Sequence, residues 1–552
     1  MSATLLQRDP AGELAADPSQ AEAVQRAAAQ LRTGRGEGIA EALRARVAAG
    51  DLDALVLSAL ALGLEGRAEE AAAAMVEVAE RRPDALHPLC DLAPLVTEPN
   101  TLARLEHVYR AVAARTPDEP RLWHAFSLYY TQAFRHDEAV AAARRSVALD
   151  GGTAITTNQL GISLTASGAL EEGLEVFADS ARRWPDSFAA FSNIACTQAA
   201  LGRFEPALEA YRRAISLSPG AAQLRLNHAI CLLKAGRMTQ GWTEYEWRLH
   251  LPGHTELPRE TLLPSLSKET RLDGRTVLVT HEEGLGDTLQ FLRFIAPLAA
   301  HGARVVVAVP AALLSLAARV EGVAEAVDAD RVTLRYDWHC PFMSLPRALA
   351  ATSGRDGAPV PYLRPAPEAV ARWSEHLPSP GTLRVGLVWA GASRAHLHWA
   401  VAVDRRRSVS LAQLSALGGL RGVSLVSLQL GPPADQLFDP PEGMRIHDAM
   451  HEARSMDDTA ALIAGLDLVI SVDTSVAHLA GGMGKPVFLL DRFDNCWRWG
   501  HGSETTALYP QMRIFRQERP DAWEAPIGRL VEAVREMAES RTGPTRRTKR
   551  RR

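Results

Sequence analysis

Cysteine is scarce in this chain. Five occur in 552 residues, at positions 90, 196, 231, 340 and 496, and no two form a Cys-x-x-Cys pair. Neither a zinc site nor a disulfide framework is suggested by that scatter. Long apolar runs are missing too, and no stretch approaches the uninterrupted length that a membrane span needs. Residues 1–18 carry Arg8, Asp9, Glu13 and Asp17 where a signal peptide would have its apolar core. These absences predict a cytoplasmic chain with no membrane span. An excess of one charge is also lacking, because 61 Lys and Arg face 65 Asp and Glu, for a formal net charge of −4. The basic stripe of a nucleic-acid-coating protein is therefore not expected. The exception is the end of the chain, where Arg546, Arg547, Lys549, Arg550, Arg551 and Arg552 crowd together. Such a run reads as a solvated, disordered tail, or as a contact for an acidic surface.

What is present is apolar side chain in ordinary amount. Hydrophobic residues make up 47% and charged residues 23% of the chain, enough for several cores at roughly 100–200 residues per domain. The first half repeats itself. Pro83, Pro117, Pro185 and Pro219 lie on one 34-residue grid, with Gly151 in the vacant slot. Gly168, Gly202 and Gly236 fall in register on that grid, as do Tyr109, Phe177, Tyr211 and Tyr245. Ala71, Ala139, Gly173, Ala207 and Gly241 form a small-residue column.

This grid describes pairs of antiparallel helices. Glycine marks the turn, the small residue lets two helices approach, and the aromatic four positions later fills the groove between them. Proline follows the second helix because its nitrogen has no N–H to continue the ladder. A single hairpin cannot bury its apolar face, so stacked neighbours supply the core. The pattern resembles the tetratricopeptide repeat. It is clearest in the units from about 154 to 250, while the unit near 120–153 keeps Trp123 and Ala139 but has Phe134 at its turn. An α-solenoid of this kind predicts a protein or peptide partner in its groove.

From Leu251 to Gly274 the repeat stops and Pro252, Pro258 and Pro264 intervene. Short β-branched runs then alternate with helical segments. Residues 276–280 and 304–309 form one series, and residues 384–389, 423–428, 466–471 and 486–490 form another. Such runs between helices predict parallel strands buried on both faces. The expected fold class is thus an α-solenoid followed by α/β, in two Rossmann-like lobes with a ligand at the carboxyl ends of the strands.

Four segments carry chemistry at those ends. Glu282-Glu283-Gly284-Leu285-Gly286-Asp287 follows the first strand. Its glycines allow a tight turn and room for a ligand, and Asp287 reads either as a helix cap or as a general base. Asp473-Thr474-Ser475-Val476-Ala477-His478 runs from a strand into a helix. The N–H groups there suit a diphosphate, Asp473 suits sugar hydroxyls, and His478 lies one turn in; a capped helix with a satisfied histidine is the plainer alternative. Arg405, Arg406 and Arg407 are read as a loop that either neutralises phosphate or is merely solvated. Asp494, Trp497, Arg498 and Trp499 either stack a base or cover a sheet edge.

The run Gly284–Thr288 together with Asp473–Ala480 resembles the heptosyltransferase-related glycosyltransferases. The whole chain is similar to bacterial proteins in which tetratricopeptide repeats precede such a domain. His339-Cys340-Pro341, Ser344-Leu345-Pro346, Leu387–Gly391, Arg405–Ser408 and Trp497-Arg498-Trp499 extend the likeness. The resemblance implies a glycosyltransferase B fold and metal-independent, inverting transfer from a nucleotide-sugar donor, with no further cofactor. It also implies Asp287 as base, Glu283, Gly284 and Gly286 on the acceptor side, and Asp473, Thr474, Ser475, His478, Arg405 and Arg407 around the donor. Ser475 stands where the heptosyltransferases have glycine, and Arg405 or Arg407 where they use lysine.

The expected organisation is a flexible N-terminus over 1–19, a solenoid over 20–250 and a connecting segment over 251–274. A first, acceptor-side lobe over 275–367, a second, nucleotide-sugar lobe over 368–540 and a basic tail over 541–552 follow. The expected activity is sugar transfer to an acceptor, plausibly a protein, recruited by the repeats. The alternatives are a non-catalytic scaffold with a nucleotide-binding transferase-like domain, and an O-GlcNAc-transferase-like enzyme.

Overall fold

The computed structural model describes residues 26, 27, 30, 31, 36–65, 67–81, 106, 110, 113, 114, 116–251, 257–392 and 398–542. Residues 543–552 of the basic tail, the N-terminal 1–19 segment, the connecting residues 252–256 and residues 393–397 lie outside them. The chain forms two compact units, Met1–Thr197 and Gln198–Arg552. No helix among the described residues is long and apolar enough to cross a membrane.

The first unit is helical. It contains α1 (Ile39–Ala48), α2 (Leu52–Leu64), α3 (Ala68–Arg81), α4 (Pro120–Gln132), α5 (His136–Asp150), α6 (Ala154–Ala166), α7 (Leu170–Arg183) and most of α8 (Phe188–Ala200). The residue columns do what their chemistry requires. Gly173 of the small-residue column lets α7 approach α6, since a Cβ there would lie 2.6 Å from Thr165, and the Phe177 ring of the aromatic column fills the space over Gly161, where a Cβ would lie 2.4 Å from it. Gly168 turns between α6 and α7 at φ +88°, and Phe134 takes the same left-handed conformation, at φ 59°, between α4 and α5.

The second unit begins within the repeats, with α9 (Phe204–Leu217), α10 (Ala222–Lys234) and α11 (Met238–Tyr245). Two parallel sheets follow. The first comprises β1 (Thr276–Thr280), β2 (Arg304–Val309), β3 (Val323–Asp328) and β4 (Trp338–Pro341), in the order β3-β2-β1-β4. The second comprises β5 (Leu383–Val388), β6 (Val423–Ser427), β7 (Ile446–Asp448), β8 (Leu468–Val472), β9 (Val487–Asp491) and β10 (Met512–Arg516), in the order β10-β9-β8-β5-β6-β7. All neighbouring strands are parallel. Numbered from β5, the second sheet has the 3-2-1-4-5-6 order of a dinucleotide-binding sheet, whose direction reverses between β5 and β8. In the first sheet the reversal lies between β1 and β4. Ligands of open α/β sheets bind at such points, so the loops after β1 and β8 are placed for function by topology alone.

The last repeat hairpin is part of this α/β core. Trp242 of α11 lies edge-on to Trp497 at 5.0 Å and to Phe291 at 5.7 Å between ring centroids. Trp242, Tyr245, Ala229 and Leu233 share one buried cluster with Val277 of the first sheet and Val469 of the second. Removing the hairpin would expose apolar surface from both lobes. A fragment starting at residue 270 is therefore expected to melt without a cooperative transition, and one spanning 201–552 to melt cooperatively. In the full chain Trp242→Ala should cost about 3–5 kcal/mol in chemical denaturation.

Candidate active site

The loop after β1 is held from beneath by a buried arginine. Arg248 is wholly buried, and its guanidinium donates to Glu282 at 2.7 and 3.1 Å, to Glu246 at 2.9 Å and to the Ser344 hydroxyl at 2.8 Å. Glu282 also accepts from the Met343 N–H at 3.0 Å. A buried charge pair is tolerable only when its remaining hydrogen-bonding sites are met, as they are here. Glu283 then takes a left-handed conformation at φ 61° and stays exposed, so the chain turns sharply into α12 (Leu285–Phe291). Gly284 is the cap residue. Asp287, three positions on, accepts the Gly284 N–H at 2.9 Å, where a carboxylate suits the positive helix end.

In the second sheet, β8 leads through Asp473 and the extended Thr474 into α19, the last of seven α-helices that follow α12 before the C-terminal helix of the described residues. They are α13 (Ile295–Ala299), α14 (Leu314–Ala317), α15 (Leu345–Ala348), α16 (Pro367–Ser374), α17 (His398–Arg407), α18 (Met456–Ala464) and α19 (Ser475–Gly482), with α20 (Glu524–Thr542) closing the chain. The Thr474 hydroxyl lies 3.0 Å from that of Ser471. The backbone N–H groups of a helix's first turn have no intrahelical partner, so this end of α19 is suited to an anion.

Three arginines sit differently from the sequence expectation. Residues 404–407 are not a loop but the last turn of α17, where basic side chains complement the negative helix end. Arg407 turns inward, donating to the Asp473 carbonyl at 2.7 Å and pairing with Asp404 at 2.5 Å. It thereby ties α17 to the loop after β8. Arg406 reaches Asp494 at 3.3 Å, and Arg405 is exposed.

The two helix starts meet at Gly286. A Cβ on that residue would lie 2.9 Å from His478 Cδ2 and 3.4 Å from Ser475 Cα. This glycine therefore admits the facing helix, where the sequence suggested room for a ligand. His478 is buried, bonds Tyr509 OH through Nδ1 at 2.9 Å and stacks on Trp499 at 5.1 Å. Trp497 and Trp499 are themselves buried, Trp497 against Trp242 of α11 and Trp499 against His478, so neither offers a free face for a base.

Arg498 spans the two lobes. Its guanidinium pairs with Asp287 and Gln290 of α12, and lies 3.1 Å from Cys496 Sγ. Sequence reasoning places Arg498 near the site but carries no sign of this pairing, because 211 positions separate it from Asp287. Arg248, Gln290, Tyr509 and Asp491 also escape sequence reading. The only trace is that Gln290 stands one helical turn beyond Asp287.

Two buried groups titrate far from their ordinary values. Burial, reinforced by the Arg498 charge, pushes His478 down to about 4. Burial, reinforced by Asp473 and opposed by Arg516, pushes Asp491 up to about 7. Asp491 ends β9 and accepts from Arg516 at 2.8 Å, while its other oxygen has no hydrogen-bond partner among the described residues.

Comparison with known proteins gives three findings. The tetratricopeptide-repeat family matches residues 188–220. Protein FlbA of Caulobacter vibrioides is 27% identical over 441 residues, covering 74% of this chain and 71% of that one. Among solved structures, a thermophilic tetratricopeptide-repeat protein of Thermus thermophilus covers 32% of this chain and 99% of its own, at 19% identity and a TM-score of 0.28. A glycosyl transferase family 9 protein of Veillonella parvula covers 48% and 90%, at 12% identity and a TM-score of 0.35.

The two titrations act on stability in opposite directions. The stability His478 contributes is present above its ordinary 6.5 and is lost as pH falls to about 4. That from Asp491 is present below its ordinary 3.8 and is lost as pH rises through about 7. Between those limits the unfolding free energy of Asp491→Asn should rise more steeply with pH than that of the wild type, and that of His478→Gln less steeply. Denaturant titrations from pH 4 to 7 read both slopes. Gly286→Ala, which forces a methyl against a buried ring, should cost about 1–3 kcal/mol in the same assay.

Proposed function

We propose that this tetratricopeptide-repeat protein, whose C-terminal half has a heptosyltransferase-like glycosyltransferase B fold, transfers a sugar from a nucleotide-sugar donor to a protein acceptor recruited by the repeats. The observation that carries this reading is the meeting of α12 and α19 at Gly286, which sets Asp287 of one lobe beside the start of the phosphate-suited helix of the other.

In this reading the donor diphosphate lies at the first turn of α19, against the N–H groups of Thr474, Ser475 and Val476. Arg407, fixed to the Asp473 carbonyl, supplies positive charge at the same edge, and Arg405 lies one face away on α17. Asp473 meets the sugar hydroxyls. His478 is neutral at physiological pH and shapes the floor with its Nε2 edge towards Gly286. Asp287 takes the proton of the acceptor hydroxyl as that oxygen bonds to the anomeric carbon. The bond from that carbon to the phosphate oxygen breaks, and its electron pair leaves with the diphosphate. Attack opposite the leaving group inverts the anomeric centre. Glu283 and Gly284, exposed at the turn into α12, border the acceptor side.

The scaffold alternative has one observation in its favour. Both oxygens of Asp287 already have partners, Arg498 on one and the Gly284 N–H on the other.

A thermal-shift screen of the full chain against nucleotides and nucleotide sugars tests the proposal. One diphosphate sugar should stabilise the protein, by about 2.7 kcal/mol at a hundred times its Kd. Thr474→Val should weaken that binding by about 1 kcal/mol. Asp287→Asn should abolish transfer and retain donor binding. A wild-type chain that binds a donor and transfers from none would favour the scaffold, and one that binds none would remove the donor site.

A further inference from the structure

We propose that Arg498 is a donor-responsive latch: with no donor bound it holds Asp287, and a diphosphate at the start of α19 draws it away, releasing the carboxylate to act as base. This rests on the donor reading given above and adds to it the regulation of the same site.

Four observations support the latch. Arg498 belongs to the second lobe, but Asp287, the carboxylate it pairs with, belongs to the first. The pair lies where the lobes touch, one residue from the Gly286 contact with Ser475 and His478. Its charge reaches α19, since it is among the causes that keep His478 neutral. The guanidinium also has support that does not involve Asp287: Gln290, the Cys496 sulfur at 3.1 Å, and the Trp497 ring at 4.6 Å from its centroid. It can therefore leave Asp287 without becoming an unsatisfied buried charge, provided another anion takes its place. A diphosphate carries more charge than one carboxylate and offers pairs of oxygens that arginine's planar fork can bind with two parallel hydrogen bonds.

The consequence is order. While the latch is closed, one oxygen of Asp287 is held in an ion pair. A donor opens it, so the base becomes available only when there is something to transfer. The same charge then faces the negative charge that develops on the departing diphosphate.

The test is a double-mutant cycle on the full chain, titrated calorimetrically with UDP, GDP, ADP, CDP and dTDP, with a melting curve for each variant as a check of folding. The variants are Asp287→Asn, Arg498→Gln and the pair of them. Arg498→Gln should weaken the best diphosphate roughly tenfold. Asp287→Asn should tighten it about fivefold or more, because the carboxylate no longer competes for the arginine. In the Arg498→Gln background the same Asp287→Asn change should give no gain. An equal gain in both backgrounds would mean that Asp287 merely repels the anion, and would overturn the latch while leaving the donor site standing. An unchanged affinity in Arg498→Gln would overturn it as well. No binding of any diphosphate to the wild type would overturn both the latch and the donor reading.

Discussion

At Gly286 two helix starts, one from each parallel sheet, come within van der Waals reach, an approach possible only because that residue has no side chain. Four residues of the candidate site lie about this contact. Asp287 is one residue along α12, Ser475 and His478 face it from α19, and Arg498 crosses from one lobe to the other beside it. A larger residue would move Asp287 away from the anion-suited helix end and weaken any chemistry that needs both at once.

The last repeat hairpin and the two parallel sheets are not independent modules in this chain. The last repeat hairpin buries Trp242 and Tyr245 in the core that the two sheets share, and Arg248, just beyond it, holds the loop that precedes α12 through Glu282. The route from the end of the repeat array to Asp287 is a buried ion pair and a short run of backbone. A perturbation of the last repeat would be felt at the site through packing, which is stiff in a close-packed interior.

Much of this is legible in the sequence. The repeat columns can be read because each performs one steric task, as Gly173 and Gly168 show, and the strands can be read because β-branched runs such as Arg304–Val309 are buried on both faces. The loops after β1 and β8 are identifiable for the same reason, since both follow such runs. What cannot be read depends on distance along the chain. The Arg498–Asp287 pair joins residues 211 apart and the Arg248–Glu282 pair residues 34 apart, and neither leaves a local pattern. Arg405 to Arg407 resemble a solvated loop because three consecutive charges have no helical periodicity. The fold makes them the end of α17, with Arg407 turned inward. Gly286 stands out in the sequence for a different reason from the one it serves, because sequence shows that space is needed but not what fills it.

The claim on which this account rests is that the junction of α12 and α19 is where a nucleotide sugar binds. Amide hydrogen exchange of the full chain, with and without a saturating donor, addresses it most directly. Protection should appear at the amides of residues 474–477 and 284–287, the two helix starts, with lesser changes in the loop that carries Arg498. Protection confined to the repeat helices, or to the segment after β6, with both helix starts unchanged, would contradict it.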